Sequence, residues 1–222
     1  MDFKRITVIT GHYGSGKTEV SINYAIHLAQ KGLKTAIVDL DIVNPYFRSR
    51  EAGDRLKEYG IKVVCTNQRY LYADLPALSP EIYGVLQNKE YYAVFDVGGD
   101  DVGATALGRY NKYFKEEDYE MLFVVNVNRP FTKDKESVIR YMREIEAASR
   151  LKVTHLVNNT HLLKETTVED LLKGQKVVEE VSRELGIPVK LITAQKEILD
   201  KLPEGLKGEK FPLNLFMTLP WR

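Results

Sequence analysis

The octapeptide Gly11-His12-Tyr13-Gly14-Ser15-Gly16-Lys17-Thr18 matches G-x-x-x-x-G-K-[ST] at every fixed position. Before it stands Lys4-Arg5-Ile6-Thr7-Val8-Ile9-Thr10, which reads as a short buried strand, and after it residues 19–31 read as an amphipathic helix. A strand, a glycine-rich turn and a helix in that order define one unit of a parallel sheet, with the turn at the strand's carboxyl end. Gly11, Gly14 and Gly16 let the backbone turn tightly and bring its N–H groups close to an anion. A helix that starts near Lys17 adds the positive end of its dipole. In such a loop Lys17 reaches the β- and γ-phosphates of a nucleotide, and the Thr18 hydroxyl ligates Mg²⁺. The competing reading is a glycine-rich turn with a buried or capping lysine; the strand before it and the helix after it favour the phosphate cradle.

Apolar strand-like runs alternate with helical patterns along the whole chain. The strands fall at 34–39, 61–65, 91–97, 120–127, 153–158 and 189–193; the helices fall at 48–59, 79–88, 101–114, 133–150, 168–185 and 196–201. Continuous apolar strands separated by helices predict an α/β fold of three layers, α/β/α, with a mainly parallel sheet covered on both faces. No repeat, low-complexity stretch or linker interrupts the pattern. The expectation is one domain over residues 1–222, with residues 206–222 as a C-terminal tail packing on it.

The charges nearly cancel, at a formal net +1, which argues against a nucleic-acid or anionic-membrane protein. Cys65 is the single cysteine, so one chain holds no disulfide and no cysteine-only metal site. It lies in the apolar run Ile61-Lys62-Val63-Val64-Cys65, which favours a buried small hydrophobe over a cluster shared across a dimer axis. No stretch approaches the ~20 apolar residues of a membrane span. The N-terminus runs straight into the first strand without a signal segment, and a cytoplasmic location is expected.

Ligands of an open parallel sheet bind beyond the carboxyl ends of its strands. That rule selects Asp39 and Asp41 after the second run, Asp96 after the fourth, and Asn158 and Asn159 after the sixth. Ala93-Val94-Phe95-Asp96 has the form of a Walker B segment, whose carboxylate holds a Mg²⁺-bound water. Gly98 and Gly99 then let the chain pass close to the γ-phosphate. Alternate strand residues point the same way, so Asp39 and Asp41 can divide the metal-bound and the attacking water between them. Either one can instead cap the following turn. The expected nucleotide set is thus Gly11, His12, Tyr13, Gly14, Ser15, Gly16, Lys17, Thr18, Glu19 and Gly99, with Thr18, Asp39 and Asp96 at the metal and Lys17 and Asp41 in catalysis.

The P-loop, Asp39-x-Asp41, Asp96-Val97-Gly98-Gly99 and Asn158 resemble the MinD/ParA-like ATPases and their CobQ/CobB-type relatives over roughly the first 160 residues. The resemblance implies that Asp41 positions the attacking water, that Asp96 lies near Mg²⁺, and that Asn158 binds the adenine edge. It also implies a face-to-face homodimer driven by ATP and released by ADP. His12 departs from the pattern, because many members carry there a lysine that reaches the partner's phosphates. Altered hydrolysis, a different dimer or no dimer, a loop-shaping role and direct contact with nucleotide all remain open for His12. Guanine recognition in related GTPases uses Asn-Lys-x-Asp after the sixth strand. Here Asn158-Asn159-Thr160-His161 lacks the Asp, which favours ATP.

Asn44-Pro45-Tyr46-Phe47-Arg48-Ser49-Arg50 occupies the place of a switch segment, and residues 103–110 that of a second. Asn67-Gln68-Arg69-Tyr70-Leu71-Tyr72-Ala73-Asp74-Leu75-Pro76 reads as a partner surface or as a solvated loop. Three functions follow. The favoured one is a Mg²⁺-dependent ATPase whose nucleotide state is read by a protein partner. The second is an ATP-dependent small-molecule kinase or amide-forming enzyme, and the third is a binding scaffold without turnover. Membrane-binding members end in a basic amphipathic helix; here Pro212 and Pro220 break the tail. Iron–sulfur carriers need paired cysteines, so no iron–sulfur cluster is expected. His27, His155 and His161 are read as structural.

Overall fold

The computed structural model describes residues 3–40, 50–65, 80–99, 101–116 and 118–216. Eight strands make one sheet: β1 (Ile6–Thr10), β2 (Thr35–Leu40), β3 (Lys62–Cys65), β4 (Tyr92–Val97), β5 (Tyr119–Val125), β6 (His155–Asn158), β7 (Val189–Ala194) and β8 (Glu209–Pro212). Their order is β3-β2-β4-β1-β5-β6-β7-β8, and every pairing is parallel. The helices are α1 (Lys17–Gln30), α2 (Arg50–Glu58), α3 (Pro80–Gln87), α4 (Asp101–Gly108), α5 (Asn111–Glu116), α6 (Lys135–Ser149), α7 (Val168–Leu185) and α8 (Lys196–Leu199).

Every residue of β1 and β2 is buried, Thr7, Thr10, Thr35 and Asp39 included, which is why these strands show no alternation between a core face and a solvent face. Period-two geometry still sorts them. Ile9, Ile37, Val94, Leu122 and Val124 face the layer of α1 and α2, packing on Val20, Tyr24 and Leu56. Val8, Val38, Phe95 and Phe123 face the opposite layer, where α3 to α7 contribute Ile82, Leu107, Phe114, Met142 and Val178. The three-layer α/β/α arrangement follows directly.

Two local features depart from expectation. The helix read over 101–114 is two helices, with a turn at Tyr110 between them. Gly108 lies against the end of α6, where a Cβ would come within 3.2 Å of Ala148 O. The Asn111 amide donates to Arg150 O at 2.8 Å, tying the start of the second helix to the end of α6. The other feature is β8, which adds to the β7 edge. Pro212 sits in it without cost, because an edge strand leaves one side of its backbone unpaired.

Beyond β8 the chain crosses α1. Phe211 and Leu213 are buried against α1 residues, and Asn23 exchanges two hydrogen bonds with the Asn214 backbone, at 2.8 and 2.9 Å. Phe216 then lies under the Arg55 guanidinium at 4.8 Å. Residues 206–216 of the tail are therefore partly a sheet strand and partly a strap over α1.

At the amino ends of the strands, Glu120 is buried on the α1 face. Its carboxylate accepts from Tyr24 Oη at 2.7 Å and Thr7 Oγ1 at 3.0 Å, and it pairs with the Lys190 ammonium. A buried carboxylate needs such a set of partners to remain charged. Burial, followed by the Glu120 charge, raises the Tyr24 phenol far above its ordinary range.

Candidate nucleotide-binding site

β1 is central: the chain goes first to β2 and the edge strand β3 on one side, returns to β4 beside β1, and then works outward through β5 to β8 on the other side. The crevice of an open sheet forms at that reversal, and residues 11–16 fill it. Gly14 and Gly16 adopt left-handed φ values of 77° and 82°, and Gly16 is the residue from which α1 starts. Ser15 N donates to His12 O at 2.9 Å and closes the turn.

The loop is held from both sides at van der Waals limits. A Cβ on Gly11 would stand 2.4 Å from Val124 O, and one on Gly99 would stand 2.1 Å from Gly11 O. The turn after β4 thus rests on the first glycine of the loop, and the two segments share one backbone surface. Lys17 and Thr18 open α1, only 6% and 8% exposed, at the positive end of the helix.

Asp39 and Asp96 are register partners on β2 and β4, about 4.8 Å apart in the backbone, with 4% and 1% exposure. Both point to the α1 face. Ser21 Oγ lies 3.1 Å from Asp96 Oδ1 and 2.9 Å from Lys17 O, so one hydroxyl proton serves two acceptors. With the Thr18 hydroxyl, the donors available here are all hard oxygens, the kind that Mg²⁺ takes together with phosphate and water. Among the described residues no His, Cys, Asp and Glu cluster of three or more forms a dedicated metal cage.

The segment after β5 braces the loop from the other side. Buried Asn126 donates to Gly14 O and His161 O, each at 3.2 Å, and its Oδ1 accepts from Asn128 N at 3.0 Å. Arg129 Nε also donates to Gly14 O, at 3.0 Å. After β6, Asn159 Nδ2 donates to Ser15 O at 2.7 Å while its Oδ1 accepts from Thr193 Oγ1 at 2.8 Å. Two successive loop carbonyls, those of Gly14 and Ser15, are therefore fixed by three side chains, which sets the loop's shape before a ligand arrives.

His12 is packed within its own chain. Its ring stacks on Phe131, centroids 5.0 Å apart, meets Tyr141 edge-on at 4.8 Å, and places Nδ1 2.8 Å from Tyr13 O. Burial, with smaller contributions from the Lys17 and Arg129 charges, holds its pKa below the ordinary histidine value. His161 is pushed down to about 4, by burial first and then by Arg129. Both rings are neutral near pH 7.

Of the residues expected at the site, Gly11 to Thr18, Gly99, Asp39 and Asp96 lie together at the carboxyl end of the central strands. Glu19 belongs to α1, but its carboxylate accepts from Phe216 N at 2.9 and 3.1 Å, turned toward the strap. The Asn158 amide is fully buried. Its Nδ2 donates to Leu171 O and Gln175 Oε1, and its Oδ1 accepts from Thr160 N, so its bonding is taken up against α7. An adenine contact from Asn158 would need those bonds to break. Asp41, the arginines of 44–50 and the tyrosine-rich stretch 67–76 lie outside the described residues or, for Arg50, have no described side chain. Sequence reasoning missed Asn126, Arg129 and Ser21. The carboxyl-end rule that picked Asp39 and Asp96 picks out Asn126 to Arg129 equally well, since they follow β5 at once.

A tight glycine loop joining the central strand of a parallel sheet to a helix, with lysine and threonine opening the helix and two buried acids beside them, defines a P-loop nucleotide-binding protein. A family model for the CobQ/CobB/MinD/ParA nucleotide binding domain matches residues 6–190, most of the sequence. The chain belongs to that family. No curated protein sequence matches it significantly.

Solved structures with a similar fold include the cell division protein FtsY of Thermotoga maritima, with a TM-score of 0.57 at 18% identity over 98% of this chain and 67% of that one. The signal recognition particle receptor FtsY of Elizabethkingia anophelis, in complex with GDP, has a TM-score of 0.53 at 18% identity over 98% and 61%. A nucleotide-binding protein of Archaeoglobus fulgidus in complex with ADP has a TM-score of 0.52 at 17% identity over 89% and 84%. This chain thus spans 61% to 67% of those two FtsY chains. At these identities the likeness is one of fold.

Proposed function

We propose that this protein binds Mg²⁺–ATP at residues 11–18 and hydrolyses it, and that a protein partner reads the nucleotide state through the segments that follow β2 and β4. The contact between Gly99 and Gly11 carries the reading: the turn after β4 touches the loop's first glycine, so a change at the terminal phosphate reaches that turn directly. In this reading the loop's N–H groups and Lys17 hold the phosphates, Thr18 ligates the metal, and Asp39 and Asp96 hold its bound waters. Asp41 orients the attacking water. When bound there, Mg²⁺ would supply charge neutralisation for the nucleotide's terminal phosphates.

ATP is favoured over GTP because Asn158-Asn159-Thr160-His161 offers no carboxylate to the N1 and N2 donors of guanine. The ADP and GDP complexes of the similar folds show that either base can occupy such a scaffold.

Calorimetric titration with ATP and with GTP, followed by phosphate release, tests the reading. Lys17→Ala is expected to weaken nucleotide binding by about a hundredfold or more, as loss of a buried charge-assisted contact would. Asp41→Asn is expected to keep the nucleotide and lose turnover. Unchanged affinity in Lys17→Ala would sink the phosphate-cradle assignment. Turnover only after a metabolite is added, with that metabolite phosphorylated, would replace the switch by a small-molecule kinase.

A further inference from the structure

Arg129 braces the loop through one of its five N–H donors, on Gly14 O. It stands in an extended conformation (φ −112°, ψ 137°) just before the single turn Pro130–Thr132. Its position is set from the buried Asn126, whose carbonyl oxygen accepts from Arg129 N at 3.2 Å and Thr132 Oγ1 at 2.7 Å. The side chain is half-buried and lies along the loop wall: the direction a Gly14 Cβ would take ends 2.8 Å from Nε, 3.0 Å from Cζ and 3.3 Å from Nη2.

Among the described residues only Nε has an acceptor, Gly14 O. An arginine has five N–H donors in a planar fork, and the four on Nη1 and Nη2 meet no acceptor among the described residues. No carboxylate among the described residues pairs with it either, although a half-buried guanidinium ordinarily acquires one. The guanidinium lies against Gly14, at the middle of the loop, and its charge helps to lower the pKa values of His12 and His161. A fixed cation with an unused fork on the wall of an anion cradle calls for an anion that comes and goes.

We propose that Arg129 is a second phosphate-binding cation of this site, supplied by the same chain, and that its Nη fork receives the polyphosphate of the bound nucleotide. The inference rests on the nucleotide reading above. It also accounts for His12. Where the family resemblance implies a lysine delivered from a second protomer, this chain has a neutral ring packed beneath Phe131, and the positive charge comes from the turn after β5.

The test compares Arg129→Gln, Arg129→Lys and Arg129→Ala for affinity toward AMP, ADP and the triphosphate analogue AMPPNP with Mg²⁺, and toward the guanine series, at two salt concentrations. Glutamine keeps an N–H donor for Gly14 O and removes the charge together with the Nη fork; lysine keeps the charge. A phosphate-binding cation predicts that Arg129→Gln loses about ten- to a hundredfold for AMPPNP, less for ADP and least for AMP, with a shallower salt dependence. Arg129→Lys should recover part of that loss. An affinity in Arg129→Gln equal to wild type would overturn the proposal. So would equal weakening of all three nucleotides in all three variants, which would make Arg129 a brace for the loop and no more. Circular dichroism melts of each variant check that the fold is kept. A wild-type protein that binds none of these nucleotides would overturn the nucleotide reading itself, whereas the other two outcomes overturn Arg129 alone.

Discussion

At the scale of single residues, the site depends on side chains that are absent as much as on those present. Gly99 has no φ constraint of the left-handed kind; it is glycine because Gly11 O occupies the space of its Cβ at 2.1 Å. Gly99→Ala must therefore push the turn after β4 off the loop. The expected result is about 1–3 kcal/mol of lost stability, as for other overpacked positions, together with weaker nucleotide binding, read from melting curves and titration. His161 offers a second residue-scale prediction. Its folded pKa of about 4 lies below the ordinary 6.5, so between those values the unfolded chain binds the extra proton. Stability is then complete above pH 6.5 and falls as the pH drops toward 4. His12, His27 and His155 are lowered as well, chiefly by burial, and act in the same sense. Melting temperature measured from pH 7.5 to 4.5 should fall across this window, and His161→Gln should fall less steeply. A parallel decline in both proteins would discount the histidine.

At the scale of elements, β5 carries the chain's most demanding interaction. Glu120, 1% exposed, is balanced by Lys190 on β7, Tyr24 on α1 and Thr7 on β1. Three elements thus depend on one carboxylate for their polar bookkeeping. Glu120→Ala would leave the Lys190 charge buried without its counter-ion, at a cost of about 3–5 kcal/mol. Chemical denaturation should show it, and Glu120→Ala/Lys190→Met should recover much of the loss if the unpaired charge is its cause. A single strand sequence gives no warning of this, because a charged residue in an apolar run reads equally well as a solvated edge. The capped helices were more legible. Asp134 and Thr167 form capping boxes with Ser137 and Asp170, and both helices begin where such residues invite a start. The break between α4 and α5 was not legible, since it is set by the end of α6 against Gly108, a contact between residues about forty positions apart.

At the scale of the whole molecule, the C-terminal strap links parts that are distant in the sheet. It leaves the β8 edge, crosses α1 at Asn23 and Glu19, and ends its described course under Arg55 of α2. Its anchor at Glu19 is one residue from Thr18. A chain ending after Pro212 would lose the burial of Leu213, the Asn23 exchange and the Phe216 contact. It should lose about 2–4 kcal/mol of stability and unfold at a lower temperature, and an unchanged melt would show the strap to be dispensable. Among the described residues no helix is long and apolar enough to cross a membrane.

The sequence alone determined the fold class and the centre of the site. Strand, loop and helix are local, and local patterns of burial and glycine placement are written in consecutive residues. It named Gly11 to Thr18, Asp39 and Asp96, and the structure brings them together because parallel strands end on one side. Tertiary structure alone decided where each remaining side chain points. Glu19 turns to the strap, Asn158 spends its amide on α7, and Arg129 leans over Gly14 from a turn 115 positions away in the chain. Hydrogen-bond direction depends on which elements become neighbours, and no run of consecutive residues encodes that.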